Sequence, residues 1–288
     1  MSTVVSNIVE LRSGALRLAL RPDLGGSLAG LWHGEVPVLR SSEDPAALAS
    51  SRQAACYPLL PYSNRLGYAR FRWLGRDHRT RPNVDDSPHS LHGIGWQRAW
   101  QVEQADASSA TLGLVHAGDD EWPFAFEAQQ TIVLTPHALR LELSFTNRAD
   151  HPAPAGLGWH PYFPKRQRSR VHAEIGGRWE PDPSGLPTRR VAQDGLDGDV
   201  VHLDFDHCFD GWRGAARLRD EQLSLRLASS APYLVVYTPP LKDYFCVEPV
   251  SHVSNAIHMA DPVAHGLRSL PGGASMTAWM TLEVEPAR

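Results

Sequence analysis

From Leu16 to Val284 the chain keeps returning to one pattern, an apolar residue followed by a polar one. Leu16, Leu18 and Leu20 alternate with Arg17, Ala19 and Arg21. Leu139, Leu141, Leu143 and Phe145 alternate with Arg140, Glu142, Ser144 and Thr146. Leu223, Leu225 and Leu227 enclose Ser224 and Arg226, and Met280, Leu282 and Val284 alternate with Thr281, Glu283 and Glu285. A period of two puts one face of a strand in a core and the other in water. Residues 135–138, Thr-Pro-His-Ala, read as a hairpin connection between two such runs. The 23 glycines and 23 prolines are scattered as turns rather than pooled in a linker. A short helix is expected only around residues 45–55. The basic stretch 165–170 and the Pro-, Gly- and Asp-rich stretch 181–199 read as excursions from a sheet. The expectation is therefore an all-β fold, a large antiparallel β-sandwich, with residues 1–288 as a single domain.

Composition narrows the partners. The 288 residues are 42% hydrophobic and 21% charged, values that allow a sizeable core. A net charge of -4 without a concentrated Lys/Arg block argues against nucleic acid. No stretch approaches the ~18 apolar residues of a membrane span. The start, MSTVVSNIVELRSG, lacks a basic segment followed by an apolar one, so a cytoplasmic protein is expected. Cys56, Cys208 and Cys246 are odd in number and lack metal-ligand spacing; they read as reduced, buried, small apolar residues. There is no His-Glu-x-x-His, no Cys-x-x-Cys, no glycine-rich phosphate loop and no Gly-x-Ser-x-Gly. No metal and no cofactor is expected.

Polar residues embedded in apolar runs are the candidates for chemistry. Glu248 follows Phe245-Cys246-Val247 and precedes Pro249, which reads as the end of a buried strand. Burial raises a carboxyl pKa and makes a proton carrier, although a strand-end Glu paired with an Arg gives the same pattern. Asn64 and Arg65 end a Pro-bounded apolar run, and an Arg offers five fixed donors to hydroxyls or to a structural carboxylate. His92 lies between Leu91 and Gly93 with Trp96 nearby. His160 sits among Trp159, Tyr162 and Phe163, and Pro161 biases it towards an extended backbone. Each imidazole suits a proton donor or a satisfied core histidine. Asp204, Asp206 and Asp210 lie among aromatics before Trp212 and suit either a ligand or an Asp-Gly turn.

Taken in order, these clusters resemble the aldose 1-epimerase, or galactose mutarotase, family. Asn64-Arg65, Leu91-His92-Gly93, His160-Pro161-Tyr162-Phe163, Asp206-His207-Cys208-Phe209 and Val247-Glu248-Pro249 look like its five motifs, from about residue 20 onwards. The resemblance implies a β-supersandwich and a cofactor-independent isomerase acting on a small sugar. Glu248 would be the base at the anomeric hydroxyl and His160 the acid at the ring oxygen. Arg65, His92, Asp206 and Asn64 would bind hydroxyls, and Trp96, Tyr162 and Trp212 would supply aromatic walls. Monomer and homodimer are both compatible. Ile94 stands where close members have a second glycine, and Ser251-His252-Val253 also departs from them. Two other readings stay open. One is a sugar-phosphate mutarotase using Lys165, Arg166 and Arg168; the other is a carbohydrate-binding protein without turnover.

Overall fold

The computed structural model describes residues 8–85 and 87–287. Two large antiparallel sheets carry most of the strands. The first has nine strands in the spatial order Gln101–Ala105, Ser109–His116, Phe126–Leu134, Ala138–Asn147, Ser275–Pro286, Leu223–Ser229, Ala215–Arg219, Arg170–Ala173 and Leu196–Asp199. The alternation is the reason. Leu139, Leu141, Leu143 and Phe145 are all fully buried, and Leu227, Leu282 and Val284 join them. Arg140, Glu142 and Arg226 face water. The expected hairpin is present, with Leu139 opposite Leu134 across the turn.

The second sheet has eight strands. Pro187–Ala192, Gly177–Pro181, Asp206–Asp210, Tyr233–Tyr237, Tyr244–Val250, Gly158–Trp159 and Pro58–Leu59 follow one another, and Tyr162–Pro164 also pairs with Tyr244–Val250. Both faces of this sheet are covered. Phe209, Leu234, Val236, Phe245 and Val247 belong to the main core. The alternate residues Cys208, Val235 and Cys246 belong to a separate cluster with Tyr57, Trp96 and Tyr162. Glu248 is two residues from Cys246, so the period of the strand puts its side chain on that second face.

Two expectations are corrected. Residues 45–55 form no α-helix. They make two 3-10 turns, Pro45–Ala47 and Ser51–Gln53, because the Asp44 and Ser50 side chains each accept from a nearby backbone N–H and start a new turn. Six such short turns are the only helical segments among the described residues. Nor does Pro249 end its strand: Glu248 pairs with Val235 and Pro249 with Leu234 inside Tyr244–Val250. On its other side this strand pairs with Tyr162–Pro164 through Tyr244 to Cys246 and with Gly158 at Val250. On that side the ladder has no pair from Val247 to Pro249. A residue without an N–H therefore costs no ladder bond there.

The three cysteines are buried and free, as expected for small apolar residues. No helix of the described residues is long and apolar enough to cross a membrane.

Candidate active site

The break at His160-Pro161 is what builds the site. The His160 N–H donates to the Tyr57 carbonyl at 3.0 Å and the Tyr162 N–H to the Ala55 carbonyl at 2.9 Å. These bonds hold the unpaired segment against the run before Pro58. The His160 ring lies against Tyr162, with centroids 4.4 Å apart and 18° between planes, and against Tyr57 at 4.9 Å. His92 meets its edge at 5.1 Å. From this aromatic box His160 Nε2 faces Glu248 Oε1 at 3.4 Å. That is longer than the 2.7–2.9 Å of a strong charge-assisted bond.

Burial governs both groups. It lifts the Glu248 carboxyl well above its ordinary range, with the nearby Asp206 charge adding to the lift and Arg65 opposing it. It presses the His160 imidazole well below its ordinary value, with His92 and Arg40 adding to the effect. Both directions favour neutral forms. With these directions a proton is held more readily by the carboxyl than by the imidazole. Glu248 Oε2 and His160 Nδ1 are buried without a hydrogen-bond partner. Such atoms are uncommon and mark places where a ligand can supply the missing bond.

The neighbouring turn carries the second histidine. Asn64 and His92 both adopt the left-handed region, with φ of 55° and 63°. They are tied reciprocally: the His92 N–H donates to the Asn64 carbonyl at 2.9 Å, and the Asn64 N–H donates to His92 Nδ1 at 3.1 Å. Because Nδ1 accepts, the proton of the neutral ring sits on Nε2. Burial, with Arg65 and Arg52 contributing, pushes the His92 pKa down to about 3. His92 is thus a fixed neutral donor. Asn64 Oδ1 accepts from the Arg65 N–H, the Arg65 guanidinium and the Ser254 hydroxyl. Arg65 in turn reaches Asp206 at 3.1 Å on the exposed side.

These residues line one open cleft of about 260 Å³, at the small end of ligand pockets. Arg65, Asn64, His92, Trp96, His160, Tyr162, Asp206 and Glu248 all contribute to its wall. Trp212 does not. It packs into the main core, with its indole N–H given to the Ala215 carbonyl. Lys165 and Arg166 are also outside the wall. Lys165 donates to the Pro239 carbonyl, and Arg166 pairs with Asp220 and donates to the Pro37 carbonyl.

Six residues of the wall had no role in the sequence reading: Arg52, Tyr57, Val84, Ser87, Tyr237 and Tyr244. The Tyr57 and Tyr162 hydroxyls are 3.2 Å apart, and Arg40 stacks on Tyr162 at 3.8 Å. Tyr244 had a usable signal, since Tyr244, Cys246 and Glu248 recur with the strand period and must share a face.

Fold and cleft together define a galactose mutarotase-like β-sandwich with a buried carboxyl–imidazole pair facing a small polar pocket. The chain belongs to the aldose 1-epimerase family, whose model matches residues 7–283. It is similar to the uncharacterized protein YphB of Escherichia coli K12, at 31% identity over 96% of this chain and 99% of that one. A putative aldose 1-epimerase of E. coli K12 of known structure superimposes with a TM-score of 0.88 at 30% identity, covering 97% and 99% of the two chains. The GalM/aldose epimerase homologue of C. elegans shares the fold, with a TM-score of 0.81 at 19% identity over 99% and 100% of the chains.

Proposed function

We propose that this protein interconverts the α and β anomers of a free hexose, with Glu248 as base and His160 as acid. The observation that carries the reading is the buried contact between Glu248 and His160, which keeps an unsatisfied oxygen and nitrogen beside a sugar-sized cleft. Mutarotation needs a group that takes the proton of the anomeric hydroxyl and one that protonates the ring oxygen. Sugar hydroxyls entering the cleft supply the hydrogen bonds that a buried carboxylate lacks, so a proton passes from Glu248 to His160. Glu248 then accepts the O1 proton, the C1–O5 bond breaks, and His160 delivers its proton to O5. Rotation about C1–C2 exposes the other face of the aldehyde, and reclosure runs the same transfers backwards. Each positioned acid or base is worth about 10²–10⁴-fold. His92 Nε2–H and the Arg65 guanidinium donate to the sugar, Asp206 accepts, and Trp96 and Tyr162 pack on its C–H faces.

A free sugar fits better than a phosphorylated one because Lys165, Arg166 and Arg168 do not line the cleft, and Lys165 and Arg166 are spent on backbone carbonyls and Asp220. The test is polarimetric relaxation of freshly dissolved α-anomers over a panel of free and phosphorylated aldoses, corrected for spontaneous mutarotation. Acceleration of at least one free hexose is expected. A protein that binds a sugar but accelerates none is a binding protein, and one that accelerates only phosphorylated sugars has a different substrate class.

A further inference from the structure

Cys246 stands two residues before Glu248 on the strand Tyr244–Val250, so both side chains share the face that carries the cleft. One ligand atom each from His160, Cys246 and Glu248 lies within 4.8 Å of the other two, and all three residues are buried. Metal–ligand distances of about 2.0–2.3 Å imply ligand–ligand edges of roughly 3.3–3.6 Å around a tetrahedral zinc ion. The Nε2–Oε1 edge is already 3.4 Å. The thiol edges, at most 4.8 Å, need to contract by up to roughly 1.2–1.5 Å, which a turn of the Cys246 side chain can supply. A further observation points to a ligand: Glu248 Oε2 is a fully buried oxygen with no partner, beside the free thiol of Cys246.

We propose that His160, Cys246 and Glu248 form a three-ligand site for Zn²⁺ whose fourth position opens into the cleft. Sulfur, nitrogen and a single carboxylate suit zinc, whereas calcium and magnesium take oxygen ligands in greater number. The balance is simple. The ion takes the imidazole lone pair, the thiol and the carboxyl each release a proton, and the +2 charge meets two negative ligands in a buried place. No electron moves. Because two protons leave, affinity rises with pH. An ion held there consumes the lone pairs that the mutarotase reading assigns to proton transfer, so zinc and sugar exclude each other. That exclusion rests on the proposed function; the site itself does not.

The experiment is titration of the full chain with Co²⁺, followed by absorption, and with Zn²⁺ in competition against a chromophoric chelator. One ion per chain and a thiolate-to-cobalt charge-transfer band are expected. Cys246→Ser should abolish the band and weaken zinc binding by more than about 100-fold, beyond the 10–100-fold of outer-sphere changes. Glu248→Gln should weaken it comparably, which keeps the test decisive if the serine variant does not fold. Cys208→Ser, which alters a buried thiol outside the trio, should leave both unchanged. A cobalt spectrum without the thiolate band, or a Cys246→Ser protein that binds zinc as tightly as wild type, overturns the site. If zinc binds as described but no aldose is turned over, the site stands and the mutarotase reading falls. If zinc binds without slowing a measurable mutarotation, the exclusion is wrong.

Discussion

Burial acts on Glu248 and His160 in opposite directions, and that decides how each should respond to substitution. Glu248→Gln keeps the shape and a hydrogen-bonding oxygen but cannot accept a proton. It should lower kcat at least ~10²-fold while changing sugar binding far less. His160→Asn should behave alike. Because both groups act on one transition state in the proposed reaction, the double variant should lose less than the product of the single losses, as groups acting as a unit are non-additive. Polarimetric rates read beside calorimetric binding check this. A Glu248→Gln protein keeping more than about a tenth of wild-type kcat would reject Glu248 as the base. At this scale the sequence was informative where a polar residue interrupts an apolar run. Glu248, His160, His92, Asn64 and Arg65 could all be located that way. It misled at Trp212, because an aromatic after an Asp-Gly pair looks the same whether it faces a cleft or the core. It was silent on Tyr57, which reads as one more apolar residue before Pro58, and on Tyr237, whose position opposite Cys246 is set by register alone.

The element that holds the donors in place is the paired turn of Asn64 and His92, and its weak point is Gly93. At φ 66° Gly93 occupies the left-handed region directly after His92. A Cβ there would stand 2.1 Å from the Leu60 carbonyl oxygen, where the Ile94 and Gly95 N–H groups also donate. Backbone must therefore move, and the position cannot relax by turning a side chain. Gly93→Ala should lose more stability than the ~1–3 kcal/mol of a strained backbone alone. His92 should be displaced with it, so any sugar that still binds should bind more weakly. Denaturant unfolding of the variant tests this, and a loss below about 1 kcal/mol would show that the turn is not constrained as described. Elements differ in how readable they were. The strands from Ala138–Asn147 and Ser275–Pro286 follow from alternation alone. The alanine-rich stretch 45–55 lost its expected helix to two side-chain caps, and Pro249 kept its place in a strand because a break in another part of the sequence lies beside it. Neither outcome is contained in local propensity.

Across the whole molecule the same burial sets the dependence of stability on pH. His92 and His252 have pKa values pushed down to about 3 and about 4, and His160 lies well below its ordinary 6.5. Burial is the first cause in all three. His252 is also held from both sides, since Nδ1 meets the Val253 carbonyl and Nε2 accepts from the Ser63 N–H. A neutral ring is required by that second bond. Above pH ~6.5 these rings are neutral both folded and unfolded, and the fold has its full stability with respect to them. As pH falls below 6.5 the unfolded chain takes up protons that the native rings refuse. Each ring then removes about 1.4 kcal/mol per pH unit until its folded pKa is reached. For His252 the window from 6.5 to about 4 amounts to roughly 3 kcal/mol. Glu248 acts in the opposite sense. Its raised pKa gives stability below its ordinary 4.5 that is lost as pH rises towards the folded value. Between pH 4.5 and 6.5 three imidazoles therefore oppose one carboxyl, and the imidazoles win. Tm should fall steeply from pH 6.5 to pH 4.5. His252→Gln, which can still accept from Ser63 but has no charge to gain, should flatten that slope by about half while lowering Tm at pH 7. An unchanged slope in the glutamine variant would mean that His252 takes up its proton in the folded state, and that the bond to Ser63 does not hold it neutral.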